Sequence, residues 1–249
     1  MIRFPVSRNI KNNLGAIREM ELQSGGFLGR TLRNLRSKDA DFQPIFALGE
    51  IMFLSGNCLQ AESYSQRFVP LCYSAALRIF FSSLMAKNEG LLLHASGIVK
   101  DGFAYLFLGR DGAGKTTAAN LSKRYLILGD DQIAVRNKGG RFLAYPAHCW
   151  GERKFNYSSC QQGFPVRAVF FIKRATKLSF NPLSRVRALS RLLHSSDYIH
   201  YLRYLTDDLA KKAFSTSYEL FKQLPCFEMR FTKKDNFWPE LEKSLKDNY

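Results

Sequence analysis

Gly109-Arg110-Asp111-Gly112-Ala113-Gly114-Lys115-Thr116 has the spacing G-x-x-x-x-G-K-[ST]. Phosphate binding needs many hydrogen-bond donors in a small space. Glycines let consecutive backbone N–H groups turn toward one anion and let phosphates approach the main chain. A helix opening at this point adds its positive end. In such a loop Lys115 reaches the β- and γ-phosphates of a nucleoside triphosphate, and the Thr116 hydroxyl holds magnesium. Gly109 to Thr117 form the candidate cofactor-binding segment: Gly109, Arg110, Asp111, Gly112, Ala113, Gly114, Lys115, Thr116 and Thr117.

The flanks fit that reading. Leu91–Val99 is apolar, Lys100-Asp101-Gly102 is a turn signal, and Ala104–Leu108 is a second apolar run ending at Gly109. A helix is expected over Gly114–Arg124 and a strand over Tyr125–Leu128. Asn137-Lys138-Gly139-Gly140 separates Ile133–Arg136 from Arg141–Tyr145 as a second hairpin. Further on, Val166–Lys173 reads as a buried strand and Leu183–Leu193 as a helix capped by Ser184. Tyr198–Thr216 reads as a helix, Cys226–Phe231 as a strand and Phe237–Leu245 as a closing helix. Upstream, Leu71, Ala75, Ile79 and Leu84 give residues 68–87 a helical period. Interleaved strands and helices with hairpins beside the loop imply an α/β fold with a mixed sheet. The division expected is a small N-terminal accessory lobe over 1–88 and a catalytic domain over 89–249.

Two further features carry chemistry. Asp130-Asp131 follows an apolar strand, fourteen residues after Thr116. A carboxylate at a strand end beside a phosphate loop binds magnesium directly or through water. Its neighbour accepts the proton of an attacking hydroxyl. His94 stands in the apolar run Leu91–Val99, where a lone histidine is more often a satisfied core residue.

Composition bounds the rest. Hydrophobic residues make up 46% of 249, enough for a sizeable core. Arg78 interrupts the apolar stretch 75–86, which is shorter than the roughly 20 residues of a membrane span. The first residues lack a secretory signal, so a cytoplasmic protein is expected. Cys58, Cys72, Cys149, Cys160 and Cys226 form no C-x-x-C pair, which argues against disulfides and zinc. The formal net charge of +16 is spread along the chain. That favours acidic partners over a dedicated nucleic-acid face.

The order His94-Ala95-Ser96, hairpin, Gly114-Lys115-Thr116-Thr117 and Gly129-Asp130-Asp131 resembles the fold shared by HPr kinase/phosphorylase and phosphoenolpyruvate carboxykinase. The stretch Tyr145-Pro146-Ala147-His148-Cys149-Trp150-Gly151 strengthens the likeness to stand-alone HPr-kinase-like proteins. Some of these tailor ribosomal peptides, including lasso peptides, by phosphorylating a serine. The resemblance implies an ATP- and Mg²⁺-dependent kinase, with ATP or another nucleoside triphosphate as donor. It gives catalytic roles to Asp130, Asp131, His94 and Lys115, and metal ligation to Thr116 and Asp131. Either aspartate can be the base. Glu152 and Arg153 are weaker candidates, since they lie where the family places active-site residues. The acceptor implied is a serine hydroxyl of a peptide or protein, and the family's hexamers suggest a homo-oligomer. The chain departs from the family at Asp111, where Ser is usual, and at Thr117, where Glu is usual. The missing Glu argues against reverse phosphorolysis, and the missing docking signature argues against HPr as substrate. The alternatives are a nucleotide-driven switch without an acceptor, a small-molecule kinase, and a nucleic-acid-associated protein.

Overall fold

The computed structural model describes residues 44–47, 50–55, 58–63, 78–79, 81–147, 162–195 and 205–248. The chain divides into two compact units, residues 1–84 with 203–209 and residues 85–202 with 210–249. Within the first lies an antiparallel meander of β1 (Pro44–Ala47), β2 (Glu50–Ser55) and β3 (Cys58–Ser63). Residues 81–87 are helical, in the C-terminal part of the expected 68–87 helix; most of its earlier part lies outside the described residues. Trp150, Glu152, Arg153, Tyr198, Tyr201, Tyr204, Cys72, Cys149 and Cys160 also lie outside them.

The second unit is built on an eight-stranded mixed sheet. Its strands are β4 (Gly90–Lys100), β5 (Phe103–Leu108), β6 (Leu126–Gly129), β7 (Gln132–Lys138), β8 (Arg141–Pro146), β9 (Phe164–Arg174), β10 (Ser179–Pro182) and β11 (Cys226–Phe231). The path runs β10-β11-β9-β5-β4-β7-β8, with β6 also on β4 and β8 also on β9. The pairs β5–β9 and β9–β11 are parallel, and the others are antiparallel.

Turn chemistry explains both hairpins. Lys100 pairs with Phe103 across Asp101 and Gly102, whose φ values are 51° and 80°. Lys138 pairs with Arg141 across Gly139 and Gly140, with φ of 59° and 82°. Positive φ at both central residues is the two-residue turn whose twist matches paired strands. Asn137 Oδ1 accepts from Gly140 N at 3.1 Å and closes the second turn.

Helices α1 (Lys115–Leu121), α2 (Arg185–Leu193), α3 (Asp207–Gln223, from residue 210 on) and α4 (Trp238–Asn248) complete the unit. On one face of the sheet, Ile98, Phe107, Phe170, Phe227 and Phe231 pack with Ala118 of α1 and with Phe237, Trp238 and Leu241 at α4. Phe107 stacks on Phe170, and Phe170 on Phe227, at centroid separations of 5.3 and 5.6 Å. Such offset aromatic pairs contribute about 0.5–1.5 kcal/mol each beyond burial. Cys226 is a free, buried thiol, pushed up to about 12 by burial, and it behaves as a small hydrophobe. Among the described residues no helix is long and apolar enough to cross a membrane.

Three expectations need correction. Helix α1 stops at Leu121, not Arg124. Ser122 N turns back onto Ala119 O at 3.0 Å, and the buried Ser122 hydroxyl accepts from Trp238 Nε1 at 3.0 Å. A buried indole N–H needs a partner, and this tertiary demand fixes the turn. Helix α3 (Asp207–Gln223) runs past the expected end at Thr216, and Leu205 and Thr206 just before it are not helical; residues 198–204 of the expected helix lie outside the described residues. Thr216 and Ser217 lie inside the helix, with their hydroxyls bonded back to Lys212 O and Ala213 O. Beyond them Phe221 reaches Phe171 of β9 at 5.9 Å between centroids. Strand β10 was not expected at all. It is a four-residue edge strand ending in proline, and it exists only by pairing with β11.

Candidate functional site

Strand β4 organises the site. Its second half, Ala95–Lys100, pairs with β5, while Gly90–His94 pairs with β7. β6 and β7 both run antiparallel to β4, meeting it in succession: Val99 with Leu126, Gly97 with Gly129, then His94 with Gln132. Asp130 and Asp131 fill the break between them. Ala95 N donates to Asp131 O at 3.0 Å and pins the break to the middle of β4. A Cβ at Gly129 would lie 2.9 Å from Gln132 O, so glycine permits this tight passage.

The consequence is a juxtaposition of residues 37 positions apart. His94 Nε2 lies 3.0 Å from Asp131 Oδ1. The two aspartates differ in environment. Asp130 is buried at 3% exposure, whereas the Asp131 side chain keeps 25%.

The glycine-rich loop leaves the end of β5 beside them. A Cβ at Gly109 would come within 2.7 Å of Ala113 Cβ. Gly112 and Gly114 have φ of 75° and 112°, conformations that side-chain-bearing residues seldom adopt. At Gly114 a Cβ would also lie 2.9 Å from the Phe231 ring. Ala113 N donates to Arg110 O at 3.0 Å and closes the turn. Lys115, the first residue of α1, is buried at 7% exposure. Its Nζ donates to Gly109 O at 2.7 Å and to Arg110 O at 3.1 Å. The ammonium is thus held under the loop by its own carbonyls.

Asp111, at the loop's outer bend, is 91% exposed yet lies between His94 and Lys115. Its Oδ1 is 3.4 Å from His94 Nε2 and 3.6 Å from Lys115 Nζ. The loop carbonyls, Lys115, His94, Asp111 and Asp131 therefore form one contiguous cluster. Arg110 and Thr116 are exposed, Thr117 is half-buried, and all stand on the same loop and first helical turn.

A cavity of about 620 Å³ opens beside this cluster. One wall is His94 with the loop residues 109–113, and the other is Phe171–Arg174 of β9, Arg191 and His194 of α2 and its end, and Glu228 of β11. Glu228 accepts from Arg191, and from Arg230 Nε at 2.8 Å. Burial alone would raise its carboxyl, but the two guanidinium hydrogen bonds outweigh that and hold it below the ordinary carboxylate range. Lys173 and Arg174, at the end of β9, line the cavity. Arg191, His194 and Glu228 were missed. In the sequence Glu228 is one polar position in an alternating strand, and nothing local marks it. Among the described residues no group of three or more His, Cys, Asp or Glu residues forms a preassembled metal site.

The class these features define is a mixed-sheet α/β protein, with a glycine-rich strand-to-helix loop facing a His–Asp pair. A family profile described as SynChlorMet cassette protein ScmC matches residues 58–246, and the chain belongs to that family. No curated protein is similar to it at a significant level. Among solved structures, the chain is similar to the Hpr(Ser) kinase/phosphatase from Coxiella burnetii, at 11% identity. That likeness covers 63% of this chain and 94% of the other, with a TM-score of 0.31.

Proposed function

We propose that this protein is a magnesium-dependent kinase that transfers the γ-phosphoryl group of ATP, or of another nucleoside triphosphate, to a hydroxyl, with a serine of a peptide or protein as the acceptor. The observation that carries the reading is the meeting of His94 and Asp131 beside the loop that holds Lys115. The residues fit a triphosphate. Two glycines with positive φ leave the loop's backbone amides unobstructed, and Lys115 supplies a buried ammonium at its base. They also fit magnesium, which is usually held by one or two carboxylates plus substrate phosphates rather than by a protein cage. Thr116 and Asp131 would hold it, and when bound it supplies charge neutralisation on the phosphate oxygens.

The chain's own residues do the rest. The loop positions the phosphates, and Lys115 neutralises charge that grows on the β–γ bridge as that P–O bond breaks. Asp131 accepts the proton of the attacking hydroxyl as its oxygen bonds to the γ-phosphorus. His94, 3.0 Å from Asp131, orients that carboxylate and adds a donor beside the transferred group. Asp130 is too buried to meet an acceptor and supports the bend instead. A lasso-type precursor peptide is one acceptor consistent with the family resemblance.

The test mixes the full chain with Mg²⁺, γ-labelled ATP and serine-containing peptides. Label transfer to a peptide hydroxyl, lost in Lys115→Ala, is the expected result. Phosphate release with no transfer to any acceptor would instead favour a nucleotide switch.

A further inference from the structure

We infer that the β9–β11–α2 flank of the cavity is the nucleoside subsite, with the Glu228 carboxylate accepting hydrogen bonds from the ribose hydroxyls. The inference rests on the triphosphate reading of the loop.

Direction comes from the order of the strands. The His94–Asp131 pair sits on β4 and the β6–β7 break, to one side of the loop-bearing strand β5. The cavity extends to the other side, over β9 and β11. From β4 to β11 is three strand spacings, about 14 Å, which suits an extended molecule lying across the loop rather than a bare phosphate. If the transferred phosphoryl group lies by His94 and Asp131, the opposite end of the donor lies over β9 and β11.

The chemistry of that end agrees. Arg110, Lys173 and Arg174 line the cavity between the loop and β9 and suit phosphates. Glu228 lies beyond them, with its side chain 13% exposed and ionised between Arg191 and Arg230. A fixed carboxylate repels phosphate and any acidic acceptor, but it accepts from neutral hydroxyls. Its Oε2 takes Arg191 and its Oε1 takes Arg230, so each oxygen keeps a free lone pair. Beside it Phe171 and Leu192 give the apolar wall that a base requires, and the Arg191 guanidinium lies over the Phe171 ring at 6.0 Å. The two arginines hold the carboxylate in place before a ligand arrives, so little ordering is needed on binding.

Calorimetric titration of the full chain in Mg²⁺ tests this with three probes: ATP, 2′,3′-dideoxyATP and inorganic triphosphate. ATP is expected to bind about tenfold or more tightly than the dideoxy analogue, the scale of hydrogen bonds to a charged group. Glu228→Gln is expected to weaken ATP to the dideoxy level without weakening triphosphate binding, since the variant removes a charge that repels phosphate. Equal binding of ATP and dideoxyATP by the wild-type chain overturns the subsite, and needs no variant to fold. Binding of triphosphate as tight as ATP also overturns it, yet leaves the loop reading standing. Failure to bind any of the three overturns both.

Discussion

Asp131 Oδ1 lies 3.0 Å from His94 Nε2, whereas its neighbour Asp130 is buried at 3% exposure. The bend between β6 and β7 buries one carboxylate and leaves the other partly exposed, so in the proposed reaction only Asp131 meets an acceptor. Asp131→Asn is expected to lower phosphoryl transfer by a factor on the order of 10²–10⁴, the range for loss of a positioned base. Asp130→Asn is expected to act mainly through stability, seen as a lower melting temperature with a smaller loss of transfer. Single-turnover transfer and thermal melts on both variants check the assignment, and the reverse ranking would refute it.

Asp111 places a carboxylate 3.6 Å from Lys115 Nζ, inside the space an incoming phosphate would share. The group is mostly exposed, so water and salt screen it and the effect is modest. Asp111→Ser is expected to tighten Mg·ATP binding on the order of fivefold at low ionic strength. The gain should shrink in 0.5 M salt. Titration at two salt concentrations reads both, and weaker binding by the Ser variant would show that Asp111 helps to hold the ligand.

Gly114 combines φ of 112° with a would-be Cβ 2.9 Å from the Phe231 ring. Gly114→Ala is expected to destabilise the protein by roughly 1–3 kcal/mol and to abolish triphosphate binding. Phe231→Leu in the same chain should relieve the contact but not the backbone strain. Denaturant unfolding of the two variants separates these terms. A Gly114→Ala protein as stable as wild type would mean that the loop adopts another conformation.

Glu228 carries a pH signature. Its carboxyl titrates lower in the folded chain than in the unfolded one, because Arg191 and Arg230 outweigh the burial that alone would raise it. The folded state then binds fewer protons in that window, so stability rises with pH through it. The contribution is complete above the unfolded carboxylate value of about 4.3 and is lost as pH falls through the folded value. Denaturant unfolding between pH 6 and 3 is expected to show the stability gap between wild type and Glu228→Gln narrowing with acid. A gap independent of pH would remove the ionised carboxylate from the argument.

Much of the fold was readable because its signals are local. Asp101-Gly102 and Gly139-Gly140 announce two-residue turns, since few residue types tolerate positive φ twice in succession. Ser184 caps α2 as its sequence position suggests, accepting from Arg187 N at 3.4 Å. The failures are all places where a distant residue decides. The end of α1 depends on Trp238, the extent of α3 on what Phe221 meets, and β10 on β11 as a template. Glu152 and Arg153 lie outside the described residues, and their candidacy rests on the resemblance alone.

By itself the sequence determined the ingredients and their order: a histidine in one strand, a glycine-rich loop with its lysine after the next, and an aspartate pair after the helix that follows. These are set by residue type and spacing along the chain, which short-range sterics and turn chemistry make legible. Only the tertiary structure decided that Asp131 faces His94, that Asp111 lies between His94 and Lys115, and that Arg191 and Glu228 wall a cavity shared with the loop. The reason is physical. Strand register and helix docking bring together residues far apart in sequence, and the burial that separates Asp130 from Asp131 exists only once the sheet has formed.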